Sequence, residues 1–408
     1  MTGPAAGADP TPALGGPAAP AADPLAVLPP RYGAASLADL MPGVLAALGV
    51  PGSADPLGLA DRLAGVRRIA VLLVDGLGWY QLPLAAAHAP TLGELARAGR
   101  WLTSGFPSTT PTSLVSLGTG APPGAHGVLG FRVRVPGTDR VLCHVDWRDD
   151  PDPRGWQPLP TVWARAAAAG VAVTVASRPE YAGSGLTEAA NAGGRYAPVT
   201  GPAALAETML AALGAGTGPT LVYGYHPELD QCGHRYGVDS ADWRSAAAGL
   251  EEALARLVDG LPPDAALLVT ADHGQLNVPA QGRFDLDADP RLRAGLRLVA
   301  GEPRVRYLHV RPGAVEDVRA TWAGVLGDAA RVLDRAEAVA AGWFGPVPAA
   351  HLERIGDLVV VCRGTSVVVH PSVSPAEAWL VGFHGSLTAA EMAIPLLVAG
   401  AQGVVPAG

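Results

Sequence analysis

From Arg67 onward, short β-branched apolar runs alternate with Ala-rich segments whose apolar positions recur every three or four residues. That alternation predicts a parallel sheet with helices on both faces. Four runs read as buried strands. RIAVLLVDG delivers Asp75, VAVTVAS ends at Ser177, TLVYGYHPELD leads to Asp230, and AALLVTADHG delivers Asp272 and His273. Three of the four place an acidic residue at or just beyond the carboxyl end, the edge where open α/β sheets bind ligands. PTLGELARAG, TPTSLVSLGTG, TVWARAAAAG and DWRSAAAGLEEALARLVDG read as helices, the last stopped by Gly260. A cluster of hydroxyls, Ser108, Thr109, Thr110, Thr112 and Ser113, surrounds the start of the second of these. Thr110 before Pro111 reads as an N-cap followed by the first helical residue, and Gly120 closes the helix.

Between about Pro279 and Pro348 the texture changes, and RVRYLHVRPGAVEDVRATWAGVLG reads as a strand, a turn and a helix of a smaller inserted α+β unit. Beyond it, GDLVVVCRGTSVVV reads as a strand pair, and HGSLTAAEMAIPLLVAG as a loop, a helix start and a closing strand. The expected organisation is a disordered Pro/Ala-rich tail over 1–30, a core over 31–278, an inserted cap over 279–350, and the rest of the core over 351–408.

Composition narrows the function. The chain of 408 residues, 49% hydrophobic, can bury a large core. A net charge of -8 argues against a general binder of nucleic acid polymers. All 29 residues of the Lys+Arg count are Arg, which removes Schiff-base chemistry and the Walker A lysine. Cys143, Cys232 and Cys362 lie far apart with no C-x-x-C spacing, which suits a reducing compartment and excludes a thiolate zinc cluster. No apolar run approaches the roughly 18 residues of a bilayer span, and the first thirty residues lack the regions of a signal peptide. A cytoplasmic protein without membrane partners is expected; the oligomeric state is left open.

Chemistry concentrates at the strand ends. Asp75, Asp230, His234, Asp272, His273 and His384 are mixed Asp and His ligands of the kind that suits Zn²⁺ or a similar divalent ion. Six exceed one tetrahedral catalytic site and suit two metals, the usual clamp for in-line phosphoryl transfer. The plain alternatives are a turn cap for Asp75 and a surface pair for Asp230 and His234. An adjacent Asp272 and His273 closing an apolar strand are costly to bury without a partner. His88, His126, His144, His226, His309, His351 and His370 read as ordinary histidines, with His226 close to Asp230 in sequence.

In order, VDG, a Thr before a helix, D-x-x-G-H, ADHG and a late HG resemble the alkaline phosphatase superfamily, and YHPELDQCGHRYG most resembles its nucleotide pyrophosphatase and phosphodiesterase branch. The resemblance covers about Ala70 to Ala280 and Gly356 to Gly400. It implies an alkaline-phosphatase-like α/β core with a mostly parallel central sheet. It also implies that Asp230, His234 and His384 hold one metal, and that Asp75, Asp272 and His273 hold the other together with the oxygen of Thr110. Thr110 would be the nucleophile, with Thr109 as runner-up. Two divalent ions, zinc being expected, bring four positive charges; three carboxylates and an alkoxide return them. The implied reaction is attack by Thr110 on the phosphorus of a small phosphate ester or nucleotide, a phospho-threonine, then hydrolysis by water activated at the other metal, with retention at phosphorus.

The pattern departs from that branch at one place. Where the branch has the Asn of H-G-x-x-x-N, HGVLGF places Phe131, whose ring offers no hydrogen bond. A phosphate oxygen would need a backbone N–H or Arg132 instead. Phe131 and Tyr225 are the expected substrate-facing aromatics, and Arg178 is expected at the mouth. The rival readings are a phosphomonoesterase or phosphonate hydrolase on the same scaffold and a metal-binding interaction protein without turnover. The sulfatase signature C-x-P-x-R is absent.

Overall fold

The computed structural model describes residues 20–401 and 403–405. Its central sheet holds β1 (Arg68–Val74), β2 (Arg100–Thr103), β3 (Ala172–Ser177), β4 (Arg195–Pro198), β5 (Thr220–His226), β6 (Ala265–Thr270), β7 (Ala393–Gly400) and β8 (Gly403–Val404). They run in the order β8-β7-β6-β1-β5-β3-β4, with β2 also on β7. The five strands from β6 to β4 are mutually parallel, whereas β7 is antiparallel to β6 and β2. In β5 and β6 every residue is buried, and in β1 every residue after the first. Near-continuous apolar runs are what a parallel sheet covered on both faces requires.

The register places Val74 opposite His226 and Leu73 opposite Thr270. Asp75, Asp272 and the entry to the helix after β5 therefore emerge side by side at one sheet edge. The helix α1 (Thr110–Thr119) begins one residue earlier than expected: Thr109, with an extended backbone (φ -136, ψ 147), is the N-cap. Pro111 is then the second helical residue, and Gly120 closes the helix at φ 68 as expected. The helix α2 (Glu228–Tyr236) follows β5 and carries Asp230 and His234 one turn apart.

The insertion is longer than the sequence indicated. Leu276–Asn277 pairs antiparallel with Gly382–Phe383, a stem at which the chain leaves the core and returns. Between these strands stands a four-stranded antiparallel sheet in the order Leu296–Glu302, Val305–Val310, Leu358–Cys362, Ala330–Asp334. The helix Val315–Leu326 packs on it through Val318, Trp322 and Leu326. The expected boundary at 350 thus falls inside the cap, because Leu358–Cys362 completes its sheet. That strand and Val367–Val369 do not pair with each other; the latter pairs with Arg283–Asp285.

Of the expected tail, residues 1–19 lie outside the described residues. Residues 20–30 are tied to the core: the Leu28 N–H donates to Leu387 O at 2.8 Å, and the Ala389 and Ala390 N–H groups donate to Ala26 O and Pro24 O at 2.8 and 2.7 Å. No helix among the described residues is long and apolar enough to cross a membrane.

Candidate metal centre and its cavity

Two groups of side chains converge at the carboxyl edge of the sheet. Asp230, His234 and His384 can each turn one ligand atom to a common point, as can Asp75, Asp272 and His273. In the second group His273 Nε2 lies 3.2 Å from Asp272 Oδ2 and 3.6 Å from Asp75 Oδ1. In the first, His234 Nε2 lies 3.4 Å from Asp230 Oδ2, and His384 Nε2 lies 3.7 Å from Asp230 Oδ1. The rings of His273 and His384 stack at 3.6 Å and 14°, which sets the two groups side by side.

The turns that deliver these groups are specific. Gly76 follows Asp75 at φ +75, and a Cβ there would come within 3.0 Å of Asp230 Cβ, so both the backbone conformation and the approach of α2 call for glycine. Asp272 Oδ1 accepts the N–H groups of Gly76 at 3.1 Å and His273 at 3.0 Å. Its other oxygen, Oδ2, is buried without a hydrogen-bond partner, and so is Asp75 Oδ1.

The imidazoles are oriented in a common way. Nδ1 of His234 faces Gly382 O at 2.8 Å, Nδ1 of His384 faces Ser108 O at 2.9 Å, and Nδ1 of His273 faces Gly274 O at 3.2 Å. A carbonyl can only accept, so each Nδ1 carries a proton and, in the neutral ring, each Nε2 presents a lone pair. His234 Nε2 and His384 Nε2 then confront each other at 3.0 Å as two acceptors. Burial, reinforced by Asp272 and Asp230, raises the Asp75 pKa well above the usual carboxylate range, and burial also raises Asp230. Burial and the neighbouring His273 and His234 lower the His384 pKa well below its ordinary value. Crowded carboxylates, facing lone pairs and orphaned buried oxygens are the environment that divalent cations relieve, and the donor set is one that suits zinc.

Thr110 Oγ1 lies 3.1 Å from His273 Nε2, at the edge of the Asp75 group. Thr109, the actual N-cap, is fully buried and its hydroxyl caps no helix N–H. Capping position and cluster-facing hydroxyl therefore fall on neighbouring residues rather than on one. Thr110 stands at the helix N-terminus, whose dipole favours an anion. A cavity of about 670 Å³ opens over this edge, lined by Asp75, Thr110, Asp230, His234 and His384 together with Phe131, Arg132 and Tyr225.

The two expected aromatics lie on that wall, with further tasks. The Tyr225 hydroxyl donates to Asp75 Oδ2 and so holds a candidate ligand in place, while its ring meets Tyr181 edge-on at 6.1 Å. The Phe131 N–H, one of the donors considered for a phosphate oxygen, is taken by Glu302 Oε2 at 3.2 Å. Arg178 does not line the cavity; it is held by Glu228 at 2.5 Å and Glu180 at 3.4 Å. His226 belongs to neither group and pairs with Glu228 Oε2 at 2.9 Å. Sequence reasoning missed Gln275, whose Nε2 donates to Asp230 Oδ1 at 2.9 Å, and Glu302, a buried carboxyl on the cavity wall. Gln275 could have been suspected from its place in ADHGQ; Glu302, at the end of a cap strand, carries no local signal.

A family model described as type I phosphodiesterase / nucleotide pyrophosphatase matches residues 69–387. The fold is similar to that of murine ectonucleotide pyrophosphatase / phosphodiesterase 5, at 20% identity and a TM-score of 0.63 over 81% of this chain and 88% of that one. An inactive threonine-to-alanine variant of the murine protein in complex with AMP gives 20% and 0.64 over 82% and 88%. Phosphonoacetate hydrolase from Sinorhizobium meliloti, in complex with phosphonoacetate, gives 21% and 0.62 over 82% and 90%. Alkaline phosphatase PhoD from Zymomonas mobilis is 35% identical over 75 residues, a stretch that spans 18% of this chain and 13% of that relative.

Proposed function

The chain belongs to the type I phosphodiesterase / nucleotide pyrophosphatase family, within the alkaline phosphatase superfamily, and we propose that it is a metal-dependent hydrolase of small phosphate esters, foremost a phosphodiesterase or nucleotide pyrophosphatase. The observation that carries this reading is the convergence of two Asp/His groups and the Thr110 hydroxyl on one cavity. Asp230, His234 and His384 would hold one ion and Asp75, Asp272, His273 and Thr110 the other, zinc being the ion this donor set favours. When bound, the two cations supply the positive charge that lowers the hydroxyl's pKa and neutralises the phosphoryl oxygens.

The chain's own groups do the rest. Thr110 Oγ1 gives up its proton and attacks phosphorus, the ester bond to the leaving oxygen breaks with that oxygen taking up a proton, and a phospho-threonine forms that, for a diester, keeps the second ester group. Water then cleaves the threonine–phosphorus ester, releases the phosphate monoester of a diester (or phosphate from a monoester) and restores the hydroxyl. Tyr225 and Gln275 orient Asp75 and Asp230, and the carbonyls of Ser108, Gly274 and Gly382 fix the imidazoles. The free cysteines Cys143, Cys232 and Cys362 agree with a reducing, cytoplasmic setting. Phosphonate hydrolysis is the second reading, favoured by Phe131 in place of an amide side chain.

The test is metal analysis and turnover on one sample. About two zinc-like ions per chain and faster hydrolysis of bis-p-nitrophenyl phosphate than of p-nitrophenyl phosphate support the diesterase. Thr110→Ala is expected to lower kcat at least about 1,000-fold while metal content holds. An active Thr110→Ala beside a dead Thr109→Ala would move the nucleophile by one residue.

A further inference from the structure

Three arginines line the cavity, of which Arg148 and Arg235 are exposed and Arg132 is largely covered, its side chain 18% accessible. Arg132 Nη1 stands 3.7 Å from Glu377 Oε1, too far for a hydrogen bond. Glu377 is already committed: its Oε2 accepts from Arg306 Nη2 and, at 2.7 Å, from the His370 N–H. Two guanidinium groups thus share one carboxylate, and the donors of Arg132 stay free on the cavity side. The Arg132 guanidinium carbon lies 5.6 Å from the centroid of the Phe131 ring, within cation–π range. Glu302 does not neutralise Arg132, because burial pushes its pKa up to about 8 and keeps it mainly uncharged at neutral pH. Glu302 also occupies the Phe131 N–H, so that donor is closed to a ligand. A partly covered guanidinium whose one carboxylate is shared with Arg306 keeps its donors free for an anion, and its fork matches a carboxylate or a phosphoryl group.

We propose that Arg132 is a specificity-determining residue that binds a second anionic group of the substrate, a carboxylate or a further phosphoryl group, while the reacting phosphoryl group sits at Thr110. The inference rests on the phosphate-ester reading above and deepens it: the substrates it selects carry a second negative charge beyond the reacting group, as pyrophosphates and phosphonocarboxylates do.

The experiment compares the zinc-loaded protein with Arg132→Gln and Arg132→Lys on three probes. Bis-p-nitrophenyl phosphate has no second anionic group, ADP has a further phosphoryl group and phosphonoacetate a carboxylate. The kcat/KM for ADP or phosphonoacetate relative to the aryl diester is expected to fall about 30-fold in Arg132→Gln, mostly through KM, and to recover in part in Arg132→Lys. Whichever probe shows the fall identifies the second group. A ratio that does not change, or an equal loss on all three probes, overturns the proposal. Thermal protection by pyrophosphate against that by phosphate is the second readout and needs no turnover. Wild type that hydrolyses none of the probes yet loses its preference for pyrophosphate in Arg132→Gln would sink the reaction and keep the subsite. Turnover by wild type with the same preference in both proteins would do the reverse.

Discussion

Glu302 offers a quantitative test of the cavity's electrostatics. Its carboxyl is 4% exposed at the end of a cap strand, accepts the Phe131 N–H and lies beside the Thr109 hydroxyl. Burial raises its pKa from 4.5 to about 8. The folded protein therefore holds a proton there that the unfolded chain has released, and stability from this group is complete below about pH 4.5 and lost as pH rises through about 8. The gap, at about 1.4 kcal/mol per pH unit, amounts to about 5 kcal/mol, an order-of-magnitude figure. Glu302→Gln isolates it, since the amide keeps the acceptor for Phe131, supplies a donor toward Thr109 and does not titrate. Urea unfolding of both proteins at pH 5, 6, 7 and 8, at one fixed metal concentration, cancels the groups they share. The stability of Glu302→Gln relative to wild type is expected to climb by several kcal/mol across that range. A difference flat to within about 0.5 kcal/mol would mean that Glu302 is ionised in the folded protein and that the argument about the Arg132 charge is wrong.

The metal groups give two further tests. Tyr225→Phe removes the hydroxyl that holds Asp75 and is expected to weaken zinc binding about 10- to 100-fold; a chelator competition showing equal affinity would refute its positioning role. In protein stripped of metal, the raised Asp75 and Asp230 favour the protonated folded state, so their contribution is present below the ordinary aspartate value of 3.8 and lost as pH rises through their folded values. The difference in Tm between zinc-loaded and chelated protein is thus expected to shrink as pH falls from 8 to 5, and a constant difference would contradict it.

The strand ends were legible because parallel strands covered on both faces must be apolar throughout, so a charged residue closing such a run stands out. Asp75, Asp272 and His273 stand out in that way, and the four-residue step from Asp230 to His234 needed only a helix to align them. The end of the cap was not legible. An apolar run such as Leu358–Cys362 announces burial but not which sheet it joins, and it completes the cap sheet rather than the core. The helix start was misplaced by one residue because Thr109 and Thr110 are chemically identical candidates, and only the extended backbone at Thr109 separates them. Glu302 meets Phe131 across 171 positions, and Tyr225 meets Asp75 across 150, separations at which local pattern carries no information.

The cap is also part of the metal centre's frame. Arg304, in the hairpin that follows Glu302, donates through Nε and Nη2 to Glu391 Oε1 and Oε2 at 2.9 and 2.6 Å, with neither side chain exposed. Glu391 in turn accepts from the Ser386 N–H at 2.9 Å and the Thr388 hydroxyl at 2.5 Å, in the loop that presents His384. Breaking such a buried pair leaves an uncompensated charge, at a cost of about 3 to 5 kcal/mol. The His384 loop is thus fastened from the cap side, while the Ser108 carbonyl orients the His384 imidazole from the core side. Among the described residues, the basic side chains within salt-bridge reach of Asp75 and Asp230 are histidines alone. Their Nε2 atoms face these carboxylates as ligands of bound divalent ions would, and the cap supplies the rigidity with which the group is held.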